Sequence, residues 1–189
     1  MMFTLYEQLE TEIEINGHVY EVDMSFDNII LFLEMMNDMS LSDVEKVYHG
    51  IYLLLGIELD TALEIQVKLF ESLIQNLIHS DDKSKTPVDL EGNIMPLPKQ
   101  QQNYCLKYDA EYIYTSFKQA YQIDLLEEQG KLDWRKFKLL LRDLPDDTKL
   151  KQVIDIRTKD YPKGKHSGEE RRKLKELKRA FALPGTEID

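Results

Sequence analysis

Few residues of this chain stand in a pattern that carries chemistry. No histidine lies in a His-Glu-x-x-His arrangement or beside a cysteine, so the spacing that zinc ligands require is missing. The residues concerned are His18, His49, His79, His166 and the single cysteine, Cys105. Lys163, Gly164 and Lys165 lack the spacing of a phosphate-binding loop, and no two carboxylates stand out as an acid and a base. We therefore expect no enzymatic activity, no catalytic or metal-binding residue and no cofactor.

The residues that could bind a partner protein lie near the end of the sequence. Residues 169–182 form a predicted helix with Leu174, Leu177 and Phe181 on one narrow stripe among six bases. Two interpretations stay open: a surface helix that packs on its own domain, or a segment that docks on an acidic partner. Contact with nucleic acid is disfavoured, because no Tyr or Trp interleaves with the bases for stacking.

Aromatic residues are concentrated just before this helix. Residues 104–137 contain eight of them, more than a small helical core needs. We expect most of these side chains in the core, and any exposed one to anchor an interface, since Tyr and Trp combine a large apolar area with a polar group. The candidate partner-binding residues are Tyr112, Trp134, Phe137, Arg157, Arg171, Arg172, Leu174, Leu177 and Phe181.

A β-hairpin is the clearest local element. Asn16-Gly17 separates two short strands, and this dipeptide tolerates the positive φ of a two-residue type I′ turn. The turn sets the register and places Ile13 opposite Tyr20. A hairpin alone is marginally stable in water, so we expect the Ile13 and Tyr20 face to pack on the helices that follow.

Three helices are predicted after the hairpin. Ser25 can cap the first, and Ser42 with Glu45 forms a capping box before the second. Thr61 with Glu64 repeats that pattern before the third. The apolar stripe expected on the second helix consists of Val44, Val47, Tyr48, Ile51 and Leu55.

The second half also reads as helical. We predict a helix over 108–122 and a second helix that Asp133 caps, with Trp134 and Phe137 in the core of this half. A third helix is predicted to start at Asp146 or Asp147. Prolines and polar residues interrupt the pattern between the halves. The sequence thus predicts a mainly α protein with an N-terminal β-hairpin followed by two helical units, divided as 1–80, a linker or loop over 81–103, and 104–189.

Charge separates the two halves. The chain of 189 residues has a net charge of -11. Residues 1–82 carry two lysines against 17 acids, a net of -15, while the rest carries 22 bases and 18 acids, a net of +4. The overall balance argues against nucleic acid as a partner, because acidic groups repel phosphate. Halves of opposite sign predict that copies associate head to tail into a homo-oligomer.

The sequence favours a cytoplasmic protein with no membrane partner. No apolar run approaches the roughly 20 residues of a membrane-spanning helix, and the N-terminus lacks the basic start of a signal peptide. A single cysteine is compatible with a reducing compartment.

Several strings of the second half resemble a family of small proteins from phages and prophages of Gram-positive bacteria, encoded in the tail module close to the tape-measure gene. These strings are YDAEYIYTSF at 108–117, QAYQID at 119–124, LDWRKFKLLL at 132–141, Leu-Pro at 144–145, DTKL at 147–150 and IRT at 156–158. The acidic, hairpin-led first half resembles the same family, so the resemblance covers nearly the whole chain.

The resemblance implies a tail-assembly chaperone. Such a protein binds the tape-measure protein, keeps it soluble and is replaced as tail-tube subunits polymerise around it. Its partners would be the tape-measure protein, a second tail chaperone and the tail-tube protein. It would act in the cytoplasm of the bacterial host and be absent from the mature virion. The alternative is a structural head-to-tail connector or completion protein, since these are also small and helical.

Overall fold

The computed structural model describes residues 5–15, 17–75, 103–163 and 167–186. Within this part of the chain it contains seven helices and one two-stranded hairpin, which confirms the predicted fold class. The residues fall into two units: an N-terminal unit of residues 5–75 and 129–138, and a C-terminal unit of residues 103–128 and 139–186. The division drawn from the sequence differs in residues 129–138, and the predicted linker lies outside the described residues except for Asn103.

The hairpin forms in the predicted register. Strands β1 (Glu12–Ile15) and β2 (His18–Glu21) are antiparallel with Ile13 opposite Tyr20. Gly17 has a φ of 81°, which only glycine and a few polar residues adopt readily, whereas Asn16 lies outside the described residues. Because the side chains alternate between faces, Ile13 and Tyr20 are half-buried while the other face is exposed.

Three helices follow the hairpin in the N-terminal unit: α1 (Phe26–Met36), α2 (Asp43–Leu55) and α3 (Leu63–Leu73). The predicted capping box of α2 is confirmed. The backbone N–H of Glu45 donates to Oγ of Ser42 at 3.3 Å, and that of Ser42 donates to the Glu45 carboxylate at 2.8 Å. These bonds satisfy N–H groups that the first helical turn leaves without partners.

The other two predicted caps do not form as expected. Ser25 precedes α1, but its hydroxyl donates to Asp23 at 2.6 Å and caps no N–H of the helix. The prediction of a capping box for α3 is wrong. This helix starts after Ala62, and the Thr61 hydroxyl has no hydrogen-bond partner among the described residues. Gln66 holds this turn by donating to the carbonyl groups of Leu59 and Thr61.

A second segment of the sequence completes the N-terminal unit. Residues 129–138 return to the start of α1, where Ser25 and Asp133 form an antiparallel bridge. The N–H of Phe26 donates to the carbonyl of Leu132 at 2.9 Å, and the N–H of Trp134 donates to the carbonyl of Met24 at 2.7 Å. Backbone groups before α1 would otherwise lack partners, and this pairing satisfies them.

The predicted location of Trp134 and Phe137 in the core of the second half is therefore wrong. Both rings are buried in the N-terminal unit, where Phe137 stacks on Phe26 with ring centroids 4.9 Å apart. Trp134 lies against Phe137 at 5.6 Å. Their helix, α5 (Trp134–Arg142), begins as predicted, since Asp133 accepts the N–H of Arg135 at 2.8 Å.

The C-terminal unit is built around α4 (Ala110–Tyr121), α6 (Lys149–Thr158) and α7 (Gly168–Ala180). Its core includes Ile113 and Phe117 on α4 and Leu150 and Val153 on α6. α6 starts after Thr148 rather than at the predicted aspartates. The N–H of Leu150 donates instead to the hydroxyl of the buried Ser116 on α4 at 3.0 Å, so a neighbouring helix supplies a partner for the first turn.

Gly50 is required by the close packing of α2. A Cβ at this position would overlap the ring of Phe70 and lie 3.0 Å from Cε2 of Phe32, both of which are buried. In an open helix, Gly→Ala would stabilise by about 1 kcal/mol. We expect Gly50→Ala to destabilise the protein by about 1 to 3 kcal/mol in urea denaturation, because the rings must shift in a packed core.

Gly168→Ala is the matched control for this substitution. A Cβ built at Gly168, the first residue of α7, meets no neighbouring atom within 4 Å. The stability of the Gly168→Ala variant should therefore equal that of the wild type or slightly exceed it. Equal stability of the two variants would contradict the close contact of α2 with the phenylalanine rings.

Candidate partner-binding surface

Helix α7 carries four of the nine predicted partner-binding residues: Arg171, Arg172, Leu174 and Leu177. It spans Gly168–Ala180 and so ends two residues before the predicted end. Glu169 and Glu170 lie in its first turn and Lys178 and Arg179 in its last, the arrangement that the helix dipole favours. The local sequence therefore supports this helix independently of its packing.

The apolar stripe of α7 is divided between the fold and the surface. Leu174 is buried, and Phe181 is half-buried with its ring 6.1 Å from that of Tyr112 in an edge-on contact. Nζ of Lys149 lies 4.7 Å from the centre of the Phe181 ring. Leu177 stays 45% exposed. Leu174 and Phe181 therefore attach α7 to the C-terminal unit, and Leu177 is left on the surface.

Arg157 lies inside the C-terminal unit. Its guanidinium makes a bidentate ion pair with the buried carboxylate of Asp109, with both N···O distances 2.7 Å. It also donates to the carbonyl groups of Phe181 at 2.6 Å and Asn103 at 2.9 Å. Asp109 in turn accepts the N–H of Cys105 at 2.9 Å. This buried ion pair links the start of α4, the end of α6 and the residue after α7, so Arg157 presents little of its charge to solvent.

Five bases form a continuous surface on α7, which we call the basic face. They are Arg171, Arg172, Lys175, Lys178 and Arg179. Residues three, four and seven apart share a helix face, whereas residues two apart point in nearly opposite directions, so Lys175 and Arg179 face away from Leu177. Arg171 and Lys178 lie over the Tyr161 ring at 5.9 and 4.9 Å.

Trp134 and Phe137 do not join this group. Both belong to the N-terminal unit and are buried there. The C-terminal unit thus brings together seven of the nine predicted residues, of which Arg171, Arg172 and Leu177 are exposed and the other four are buried or half-buried.

An exposed apolar stripe on α2 is absent from the predicted set. Val44, Tyr48 and Tyr52 follow one another at four-residue spacing and are 42% to 54% exposed. Val44 and Tyr48 were predicted on the same apolar stripe as Val47, Ile51 and Leu55, which are buried. The sequence does contain a signal for this exposed stripe. Apolar residues surround more of α2 than a single contact face can bury. Once Ile51 and Leu54 occupy the buried face, the remaining apolar residues must lie on the surface.

Titratable groups cluster at the end of α4. Asp124 accepts hydrogen bonds from the Tyr114 hydroxyl at 3.0 Å and from Lys118 at 3.2 Å. Partial desolvation acts to raise the pKa of Asp124, but these hydrogen bonds outweigh it and the pKa is lowered. The hydrogen bond to Asp124 raises the pKa of Tyr114. Both shifts lead away from neutral pH, so this cluster is not tuned for proton transfer there.

Within the described residues, no group of three or more His, Cys, Asp or Glu side chains is placed to hold a metal ion. Among the helices of the same part of the chain, none is long and apolar enough to cross a membrane. His79, His166, Gly164 and Lys165 lie outside the described residues.

Comparison with known proteins identifies the family. Residues 5–183 match the sequence profile of the family described as Bacteriophage Gp15 protein. Neither a curated protein nor a solved structure shows significant similarity to the chain. Because the match leaves out only the first four and the last six residues, the chain belongs to the bacteriophage Gp15 protein family.

Proposed function

We propose that this phage protein is a tail-assembly chaperone, which binds the tape-measure protein and keeps it soluble until tail-tube subunits polymerise around it. Membership of a bacteriophage family supports a role in building the phage particle. The finer role rests on the resemblance of the sequence to tail-module proteins and on the surface of α7. The proposed role is non-enzymatic.

The observation that carries the proposal is the exposed Leu177 on a helix that its own unit already anchors. Leu174 and Phe181 attach α7, so Leu177 adds little to the fold and is available to a partner. Apolar surface with a polar rim is typical of protein-binding sites. A tape-measure protein is a long helical chain with apolar stripes, and such a stripe can pack against Leu177 and its neighbours on α7.

The charge of the chain supports the same role. A net charge of -11 keeps a complex with an apolar helical partner in solution. It also argues against nucleic acid as a partner. The proposed partners are the tape-measure protein, further copies of this chain, a second tail chaperone and the tail-tube protein, which it would meet in the cytoplasm of the host.

Co-expression with the tape-measure protein of the same phage tests the proposal. The wild-type chain should raise the soluble fraction of the tape-measure protein and co-purify with it. Leu177→Ser should reduce this recovery several-fold, because one exposed apolar anchor of the interface is lost. Leu126→Ser is the matched control, since Leu126 belongs to the same unit, is 67% exposed and lies outside α7.

Two results would contradict the proposal. One is a wild-type chain that neither binds nor solubilises the tape-measure protein. The other is a chain that remains in purified virions at a fixed copy number, which would favour the structural connector or completion protein. A chaperone should be absent from virions.

A further inference from the structure

The exposed stripe of α2 has no partner within the chain as described. Val44, Tyr48 and Tyr52 extend about 12 Å along the helix, since each residue adds 1.5 Å. The side chain of neither tyrosine makes a hydrogen bond or a ring contact with another described residue. Two half-exposed tyrosines on a regular helix form a rigid surface, and tyrosine is among the residues that contribute most to protein interfaces.

The stripe belongs to an acidic part of the sequence. Glu45 follows Val44 on the exposed side of α2, and hydrogen bonds from Ser42 lower the pKa of Glu45 and keep it ionised. Residues 1–82 carry a net charge of -15. A partner that offers positive charge together with groups that stack on aromatic rings would complement this surface.

The basic face of α7 has these properties. Arg172, Lys175 and Arg179 extend about 10 Å along one side of the helix, close to the length of the stripe. Arg172 has only an ion pair of 4.0 Å with the exposed Glu176, and neither Lys175 nor Arg179 has an ion pair in the described part of the chain. Guanidinium groups stack on tyrosine rings and pair with carboxylates. Arg171 makes such a contact with Tyr161 at 5.9 Å.

We infer that the Val44, Tyr48 and Tyr52 stripe of α2 binds the basic face of α7 from a second copy of this chain. The two surfaces differ, so the contact is heterologous: each copy offers one α2 stripe and one basic face. Repetition of such a contact forms a ring or an open row of copies. Leu177 faces away from Lys175 and Arg179 and stays accessible to another partner, so this inference does not depend on the chaperone role.

Sedimentation of the purified full-length chain tests the inference without any other protein. The wild type should form oligomers that grow with concentration and dissociate at about 0.5 M salt, where charges are strongly screened. Tyr52→Ser and, separately, Arg179→Glu should each raise the dissociation constant at least about tenfold. Tyr108→Ser is the matched control, since Tyr108 is 59% exposed, and it should associate like the wild type. Circular dichroism should show that all variants are folded.

Mixing the two interface variants distinguishes a heterologous contact from a symmetric one. The Tyr52→Ser chain keeps its basic face and the Arg179→Glu chain keeps its α2 stripe, so an equal mixture should form dimers that do not grow further. A wild-type chain that stays monomeric would overturn the inference. So would variants that associate like the wild type, or a mixture that stays monomeric.

Discussion

Asp109→Ala is expected to lower the free energy of unfolding of the C-terminal unit by about 3 to 5 kcal/mol, because it leaves the guanidinium of Arg157 buried without its counter-ion. The Arg157 side chain is only 11% exposed and Asp109 is almost fully buried. The carbonyl groups of Phe181 and Asn103 accept two of its hydrogen bonds but supply no negative charge.

Asp155→Ala is the matched control. Asp155 forms an exposed ion pair with Lys159 on α6 at 3.7 Å, and such surface pairs contribute about 0.5 kcal/mol or less. Urea denaturation followed by far-ultraviolet circular dichroism is the suitable measurement, because the single tryptophan belongs to the N-terminal unit. If Asp109→Ala unfolded at the same urea concentration as the wild type, the ion pair would not stabilise the unit. Arg157 would then be available to bind a partner, as predicted from the sequence.

Trp134→Ala is expected to destabilise the N-terminal unit by about 3 to 5 kcal/mol, because it removes a large buried ring from the stack on Phe137. Trp134→Phe should cost clearly less. It keeps an aromatic ring there and removes an indole N–H that has no acceptor among the described residues.

Lys136→Ala provides the control for this position. Lys136 lies on the same helix but is exposed, so its removal should change stability by less than about 0.5 kcal/mol. Thermal unfolding by circular dichroism can compare all three variants, whereas fluorescence cannot, since the tryptophan is replaced in two of them. A Trp134→Ala chain with unchanged stability but lost partner binding would make Trp134 an interface residue.

The structure also changes how α7 is understood. The sequence left open whether this helix belongs to its own domain or docks on a partner. Burial of Leu174, the contact of Phe181 with Tyr112, and the hydrogen bond from Arg157 to the Phe181 carbonyl attach it to the C-terminal unit. Docking and folding are therefore not alternatives, because Leu177 and the arginines of the basic face remain exposed on a helix that is already held in place.

Short-range rules were enough to predict the elements whose causes are local. The hairpin register follows from a two-residue turn and the alternation of strand side chains, and the capping box of α2 follows from two residues three apart. The start of α5 after Asp133 and the helix over most of 169–182 follow from the same short-range rules. Each of these interactions closes within a few residues, so periodicity and spacing are enough to predict it.

Which side chains are buried, and what they bind, depends on long-range packing. The pairing of Ser25 with Asp133 and the stack of Phe137 on Phe26 join residues more than 100 positions apart, so Trp134 and Phe137 lie in the N-terminal unit. Arg157 and the α2 stripe were assigned to the wrong environments for a related reason. Periodicity identifies an apolar or charged face, but whether that face is covered depends on neighbours that arrive from distant parts of the sequence.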